Sequence, residues 1–155
     1  MDISQDGLDF IKRRESLAFK AYQDVAGVWT IGYGTIRIGG RPVRADDTCT
    51  EVQAEQWLRD ECEGFVDVIN RALTGIVLAQ NQFDSLVSFT YNVGSGAFLS
   101  STLLKVLRAE QPVIQDYFTR WCKARDPKTG QLVTVQGLLN RRVMEWQIYS
   151  LGVYA

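Results

Sequence analysis

Two acidic side chains and one hydroxyl flank a short segment near the N-terminus that is rich in glycine and β-branched residues. Glu15 stands at the end of a predicted helix, shortly before Leu17 and Phe19. Asp24 follows in the turn-like stretch YQDVAG, and Thr30 lies in a predicted strand. A carboxyl in apolar surroundings keeps its proton to higher pH, whereas one close to water stays ionised. A chain that reverses between helix and strand can bring both carboxyls to one cleft.

Such a pair has the groups that glycoside hydrolysis requires. One carboxyl protonates the leaving oxygen, and the second stabilises the oxocarbenium-like charge or activates a water. The Thr30 hydroxyl could hold that water. The alternative is that a glutamate at a helix end and an aspartate in a turn are ordinary solvated residues, and the spacing alone favours this alternative.

The absence of histidine narrows the chemistry further. Ser-His-Asp and Cys-His mechanisms are excluded, and so is a catalytic zinc site of the usual His-rich kind. Any hydrolysis must therefore use carboxylates, hydroxyls, lysine or arginine. The three cysteines, Cys49, Cys62 and Cys122, are widely spaced. They indicate neither a disulfide framework nor a zinc site, and reduced thiols in a cytosolic setting are the simpler interpretation.

Net charge and hydropathy argue against nucleic-acid-binding and membrane-inserted classes of protein. The formal net charge of the 155 residues is −1, so no global field attracts nucleic acid or a membrane surface. Residues 100–155 carry 8 Lys and Arg against 4 Asp and Glu. A nucleic-acid-binding or partner-binding helical domain is thus an alternative, although no recognisable binding motif supports it. We expect no membrane insertion, because no apolar stretch approaches the ~18 residues of a membrane span. No secretory signal peptide is visible.

Periodicity predicts an α+β fold with a small sheet-bearing lobe at the N-terminal side. From Phe19 to Pro42 the sequence is typical of hairpin strands and turns. The pattern TEVQ, residues 50–53, is a capping box that opens a long helix. The predicted helices cover residues 3–13, 50–72 and 81–94 (with Asn81 as cap and Gly94 as stop), STLLKVLRAE, a segment starting at Pro112, and LLNRRVMEWQIYSLG, with a loop or small hairpin in DPKTGQLVTVQG.

The stretch ESLAFKAYQDVAGVWTIGYGT resembles the phage-type lysozymes, the endolysin muramidases of glycoside hydrolase family 24. The pattern of that family is Glu, eight residues, Asp, five residues, Thr, then Ile-Gly-x-Gly-His, and Glu15, Asp24 and Thr30 match it in type and spacing. NQFDSLVSFTYNVGSGAFLSSTLLKVL is similar to the central helices of the family, and GLLNRRVMEW to its closing helix. The resemblance implies one lysozyme-like domain over residues 1–155. Its sheet lobe (about 14–50) is joined by a long helix to a larger helical lobe (about 73–155), which also includes the N-terminal helix.

The resemblance also implies an activity. The expected reaction is cleavage of the β-1,4 bond between N-acetylmuramic acid and N-acetylglucosamine in peptidoglycan glycan strands, without cofactor or metal. Glu15 would be the general acid, and Asp24 and Thr30 would position and activate water. Inversion is expected, because a hydroxyl that anchors water has no evident role in direct attack by Asp24. A monomer, held in the host cytoplasm until its release to the cell wall, is expected.

Further site residues follow from the same resemblance. Ile36, Tyr91, Asn92 and Thr102 match positions that line the saccharide cleft, although Tyr91 and Ile36 could also be core residues. Arg141 in LLNRR matches an arginine that lies beside the catalytic glutamate.

One position departs from the family pattern. Thr35 stands where the family usually has histidine, and no acid in residues 50–100 can be named as its partner. That histidine is not one of the three catalytic groups, so activity is not excluded. A catalytically weakened or inactive peptidoglycan-binding module on the same fold is the alternative. Without an acid opposite Thr35, the substitution should be tolerated.

Overall fold

The structure, a computed structural model, describes residues 1–155 and confirms the α+β class. Three two-stranded antiparallel sheets accompany seven helices. The helices are α1 Gln5–Arg14, α2 Glu51–Ala72, α3 Gln80–Val93, α4 Ser95–Ser100, α5 Thr102–Arg108, α6 Asp116–Thr119 and α7 Gln136–Leu151. The strands are β1 Ala18–Gln23, β2 Trp29–Gly32, β3 Arg37–Ile38, β4 Arg41–Pro42, β5 Lys123–Arg125 and β6 Leu132–Thr134.

Helix α1 is tied at its N-terminus to the central helix α3. Ser4 is the N-cap, and its hydroxyl accepts from the Gly7 N–H at 3.1 Å. The Ser4 N–H donates to the buried Asp84 carboxylate of α3 at 2.9 Å. A Cβ on Gly7 would lie 2.7 Å from Asp84, so the glycine permits the close approach of the two helices. This contact fixes the helix that ends at Glu15.

The β1–β2 hairpin supplies the next site residues. Tyr22 pairs with Thr30 and Gln23 with Trp29, so Asp24 falls in the connecting turn. A bulge between Ala18 and Tyr22 interrupts the register. The hairpin therefore follows Glu15 directly and carries both remaining candidates of the N-terminal motif.

Helix α2 begins at the predicted capping box, in which the Thr50 and Gln53 side chains each accept a backbone N–H of the other residue. Its buried residues recur every three or four positions, as the core-facing stripe of an amphipathic helix does. They are Ala54, Leu58, Cys62, Val66 and Ile69. The helix packs against both β2 and α3, and so lies between the sheet region and the helical region.

Helix α3 is the centre of the core. Every residue from Phe83 to Thr90 is buried, so the helix is covered on all sides, by α1, α2 and α7 among others. Gly94 ends it at φ 94°, as predicted. The cap predicted at Asn81 is wrong, because Ala79 is the N-cap. The Asn81 amide instead donates to the Ile148 and Tyr149 carbonyls of α7, so a tertiary contact replaces the local one.

The helix predicted to start at Pro112 is also wrong in extent. Only Asp116–Thr119 is α-helical, and the chain then enters strand β5. Phe118 is fully buried, with its ring 5.6 Å from that of Phe89 and 6.0 Å from that of Trp146. One short turn suffices to bury this ring. The short helix α4 was not predicted as a separate element. The small hairpin expected within residues 126–137 is present, but its first strand, β5, lies before residue 126.

No helix of the protein combines the length and the apolar composition that crossing a membrane requires.

Candidate active site

Glu15 is the residue at which helix α1 gives way to extended chain. Its backbone lies at φ −103° and ψ 145°, and its N–H donates to the Ile11 carbonyl at 3.1 Å. The side chain is 26% exposed, and its Oε1 accepts from Arg141 Nη1 at 3.1 Å. The structure therefore places Arg141 beside Glu15, across 126 positions of sequence.

A buried charged group lies behind this contact. Glu145 and Arg142 are both 0% exposed. Glu145 Oε1 accepts from Arg141 Nε at 3.1 Å, from Arg142 Nη2 at 3.0 Å and from the Ser88 hydroxyl at 2.7 Å. Burial raises the pKa of Glu145, and the two guanidiniums oppose that shift. The same burial lowers the pKa of Arg142.

Asn92, one of the predicted cleft residues, is linked to this group. Arg142 Nη2 donates to its side-chain oxygen at 2.9 Å, while the Arg142 guanidinium lies 5.1 Å from the centre of the Phe89 ring. Asn92 also lines a cavity of about 410 Å³ together with Trp121 and Lys123. The buried network thus reaches from Glu15 to a surface cavity that is lined by the end of α3, the β5–β6 hairpin and the start of α7.

Asp24 is held by its own turn. Its Oδ1 accepts from the N–H groups of Ala26 and Val28, each at 2.9 Å, and the side chain is exposed. The Gly27 backbone has φ +81°, which glycine adopts without strain. Thr30, which is 5% exposed, donates from its hydroxyl to the Val28 carbonyl at 3.0 Å. Val28 therefore bridges the carboxylate and the hydroxyl.

Tyr91 is partly buried between α2 and the sheet region. Its hydroxyl donates to the Tyr33 carbonyl at 3.4 Å, and its ring meets that of Phe65 edge-on at 5.6 Å. Burial raises the pKa of Tyr91, and the charges of Glu61 and Glu15 raise it further. Tyr91 packs against the core and its phenol also faces the carboxyls of Glu61 and Glu15.

Glu61 of α2 is the acid opposite Thr35. The Thr35 hydroxyl is buried and makes no hydrogen bond of good geometry, although it lies close enough to the Glu61 carboxyl to favour its ionised form. Burial outweighs this and raises the pKa of Glu61, and the charge of Glu15 raises it further. The prediction that Thr35 is tolerated assumed that no acid lies opposite it, and the position of Glu61 shows that this assumption is wrong.

Two predicted cleft residues lie apart from these contacts. Ile36 is 49% exposed, so it is not a core residue. The Thr102 hydroxyl accepts from Arg120 Nη1 at 3.2 Å. The structure contains no group of three or more His, Cys, Asp or Glu side chains placed to hold a metal ion.

The family model named Phage lysozyme matches residues 12–145, which is most of the chain and includes every candidate site residue named above. This chain belongs to the phage lysozyme family.

Individual relatives agree with this assignment. The endolysin of Bacillus phage PZA is 44% identical over 155 residues, covering 98% of this chain and 56% of that protein. The chain therefore spans just over half the length of that relative. The endolysin of Acyrthosiphon pisum secondary endosymbiont phage 1 is 37% identical over 159 residues, covering 97% of this chain and 99% of that protein.

A solved structure shows the same fold. The endolysin from Escherichia coli O157:H7 phage FAHEc1 superposes with a TM-score of 0.92 at 45% identity, covering 100% of this chain and 97% of that one. The fold of this phage lysozyme is therefore lysozyme-like, with a small N-terminal β region and a mostly helical body.

Sequence reasoning missed four polar residues near this site: Glu61, Ser88, Arg142 and Glu145. The spacing of Arg141, Arg142 and Glu145 on a predicted helix was an available signal, because residues three and four apart share a helix face. Nothing in the local sequence indicates that Glu61 faces Thr35, since that contact joins α2 to the turn after β2.

Proposed function

We propose that this phage lysozyme is an endolysin muramidase that hydrolyses the β-1,4 bond between N-acetylmuramic acid and N-acetylglucosamine in peptidoglycan. The observation that carries the proposal is that the two carboxyls of the N-terminal motif have different surroundings. Glu15 is half-buried and held by Arg141, whereas Asp24 is exposed in a turn that Val28 links to Thr30. Family membership supplies the substrate class.

The roles follow from these surroundings. Glu15 donates its proton to the leaving glycosidic oxygen, since it is the less exposed carboxyl. Asp24 uses Oδ1 for two backbone N–H groups, and its Oδ2 has no protein partner and is free to accept from a water. Thr30 can hold the same water through its hydroxyl. Ile36, Tyr91, Asn92 and Thr102 contact the glycan strand.

We propose inversion at the anomeric carbon. The water held by Asp24 and Thr30 attacks the face of the sugar opposite Glu15, which requires carboxyls about 6.5–9.5 Å apart. NMR of the first product formed from a soluble glycan strand tests this. Release of the α-anomer is expected, and initial release of the β-anomer would identify Asp24 as a nucleophile.

A turbidity assay on chloroform-treated Gram-negative cells separates the enzyme from a binding module of the same fold. The parent protein should clear the suspension, and the Glu15→Gln protein should bind isolated walls without clearing cells. A folded parent that binds walls but leaves turbidity unchanged would establish the inactive module, the alternative favoured by Thr35.

Two further expectations stay proposals about the whole protein. The protein acts as a monomer, which sedimentation at lysis-relevant concentration tests. It is stored in the host cytoplasm before lysis, which fractionation of producing cells tests, and recovery in the membrane fraction would contradict this.

A further inference from the structure

The charged groups behind Glu15 leave one positive charge that faces its carboxyl. Two guanidiniums, those of Arg141 and Arg142, and one carboxylate, that of Glu145, lie together on α7. Arg142 Nε lies 2.7 Å from Glu145 Oε2, and both residues are fully buried. Glu145 therefore neutralises one of the two positive charges, and Glu15 faces the remaining one.

We propose that Glu145 is a positioning residue for the general acid: it fixes the Arg141 guanidinium on Glu15 and cancels the charge of Arg142. This inference rests on the proposed function, in which Glu15 is the acid. The fixing is geometric, because Glu145 Oε1 binds Arg141 through Nε and leaves Nη1 for Glu15. The Ser88 hydroxyl holds the same oxygen from α3.

The cancellation matters because the group is buried. Charges in a low-dielectric interior interact more strongly than at a surface, and a nearby positive charge favours the ionised form of a carboxyl. An acid that faced two uncompensated guanidiniums would lose its proton at lower pH. Glu145 prevents that, and so keeps Glu15 able to donate.

Other titratable groups also face Glu15 and Arg142. Glu15 is also faced by Glu61 from α2 and by the Tyr91 phenol from α3. The Cys122 thiol faces Arg142. None of these is changed by the variants below, so their contribution is common to all of them.

The test is the NMR titration of the Glu15 carboxyl carbon in protein labelled with ¹³C-glutamate, assigned by the signal that Glu15→Gln removes. Glu145→Gln keeps an oxygen for Arg141 and Ser88 but removes the charge. The midpoint of the titration should fall by about 0.5–1 pH unit. Arg142→Gln should raise it by a similar amount, and the double variant should return it close to the parent value.

Opposite signs and cancellation are what a purely structural role cannot produce. Shifts of the same direction in both single variants, or a double variant that stays displaced, would overturn the proposal. A second comparison covers the case in which Glu145→Gln fails to fold, since that variant leaves two buried guanidiniums with reduced compensation. The comparison of Arg142→Gln with the double variant then measures the same charge, and the second substitution must lower the midpoint.

The measurement does not depend on catalysis. The proposed function fails if Glu15→Gln retains lysis, whereas this inference fails if the midpoints do not follow the charge. In an active parent, the alkaline limb of the pH–rate profile should move in the same direction as the midpoint. A limb that moves while the Glu15 midpoint stays fixed would also overturn the inference.

Discussion

Glu15 and Asp24 are fixed in opposite ways. Glu15 depends on Arg141, 126 positions away, and on a buried group contributed by α3 and α7. Asp24 depends on backbone N–H groups no more than four positions away. The first arrangement exists only when the whole helical region has packed, whereas the second is complete within one hairpin turn.

The two arrangements give the two carboxyls different local environments. The group behind Glu15 is closed to water, so its charges act strongly on the acid. Asp24 is exposed, and water screens its charge. The two carboxyls therefore differ in both burial and charged neighbours, which is the kind of difference that the proposed division of roles between them requires.

The largest expected effect is that of Glu15→Gln. The amide keeps an acceptor for Arg141 but cannot donate a proton, so lysis should fall by roughly 10²–10⁴-fold. Wall binding and Tm should stay close to those of the parent. Glu63→Gln, an exposed site on α2, is the matched control and should retain full activity. Clearing of cells by the Glu15 variant at the parental rate would remove Glu15 from the role of acid.

The second prediction separates the charge of Asp24 from its turn. Asp24→Asn keeps the oxygen that accepts from Ala26 and Val28, whereas Asp24→Ala removes it. Both should lose lysis by about 10²-fold, the lower end of the range for acid–base groups. Only Asp24→Ala should also lower Tm, by about 2–4 °C for the roughly 1 kcal/mol of lost hydrogen bonding.

Scanning calorimetry beside the lysis assay checks both variants. Equal Tm values for the two variants would show that the turn does not depend on the carboxylate. A fully active Asn variant would show that position 24 needs an acceptor and not a charge.

The contrast between local and long-range contacts also explains which features the sequence could predict. The capping box at Thr50, the glycine stop at Gly94 and the Asp24 turn depend on a few adjacent residues, so local patterns indicate them. Asn81 is a common cap type, yet its amide is used by the α7 carbonyls. Tertiary packing overrides local preference at such positions, and no local pattern records it.

The candidate site residues also divide into those that a sequence motif indicates and those that depend on distant partners. The N-terminal motif predicts Glu15, Asp24 and Thr30 as candidate catalytic residues, and the resemblance predicts the contact of Arg141 with Glu15 that the structure contains. The supporting residues Glu145 and Glu61 were missed, because their importance comes from partners on other elements. Burial of a carboxylate beside distant groups is a property of the folded chain and not of a sequence window.

The third prediction concerns Glu61, which, like Glu15, depends on partners that are distant in sequence. Burial raises the pKa of this carboxyl, so its ionisation opposes folding. The folded state therefore loses stability as pH rises above the ordinary glutamate value of about 4.3. Glu61→Gln should raise Tm by about 1–3 °C at pH 7 and should not raise it at pH 4. Glu63→Gln should change neither value, and a lower Tm at pH 7 for the Glu61 variant would contradict the assignment.

The smallest expected effect is that of Thr35→His, which places an imidazole opposite Glu61. Thr35 is 1% exposed, so the larger ring should lower Tm through overpacking, and that cost is independent of pH. Pairing with Glu61 raises the pKa of the new histidine above about 6.5. Its stabilisation is then complete below that pH and is lost as pH rises through the raised value.

The change in Tm caused by Thr35→His should therefore be more favourable at pH 5.5 than at pH 8.5, by about 2 °C. The difference should vanish in a Glu61→Gln background, where no carboxylate remains to pair with the imidazole. A pH-dependent gain that persists in that background would mean that another acid faces position 35. Lysis by the single variant should stay within a few-fold of the parent, because Thr35 touches none of Glu15, Asp24 or Thr30 through a hydrogen bond. A large gain of lysis from an inert parent would instead show that the threonine had disabled the site.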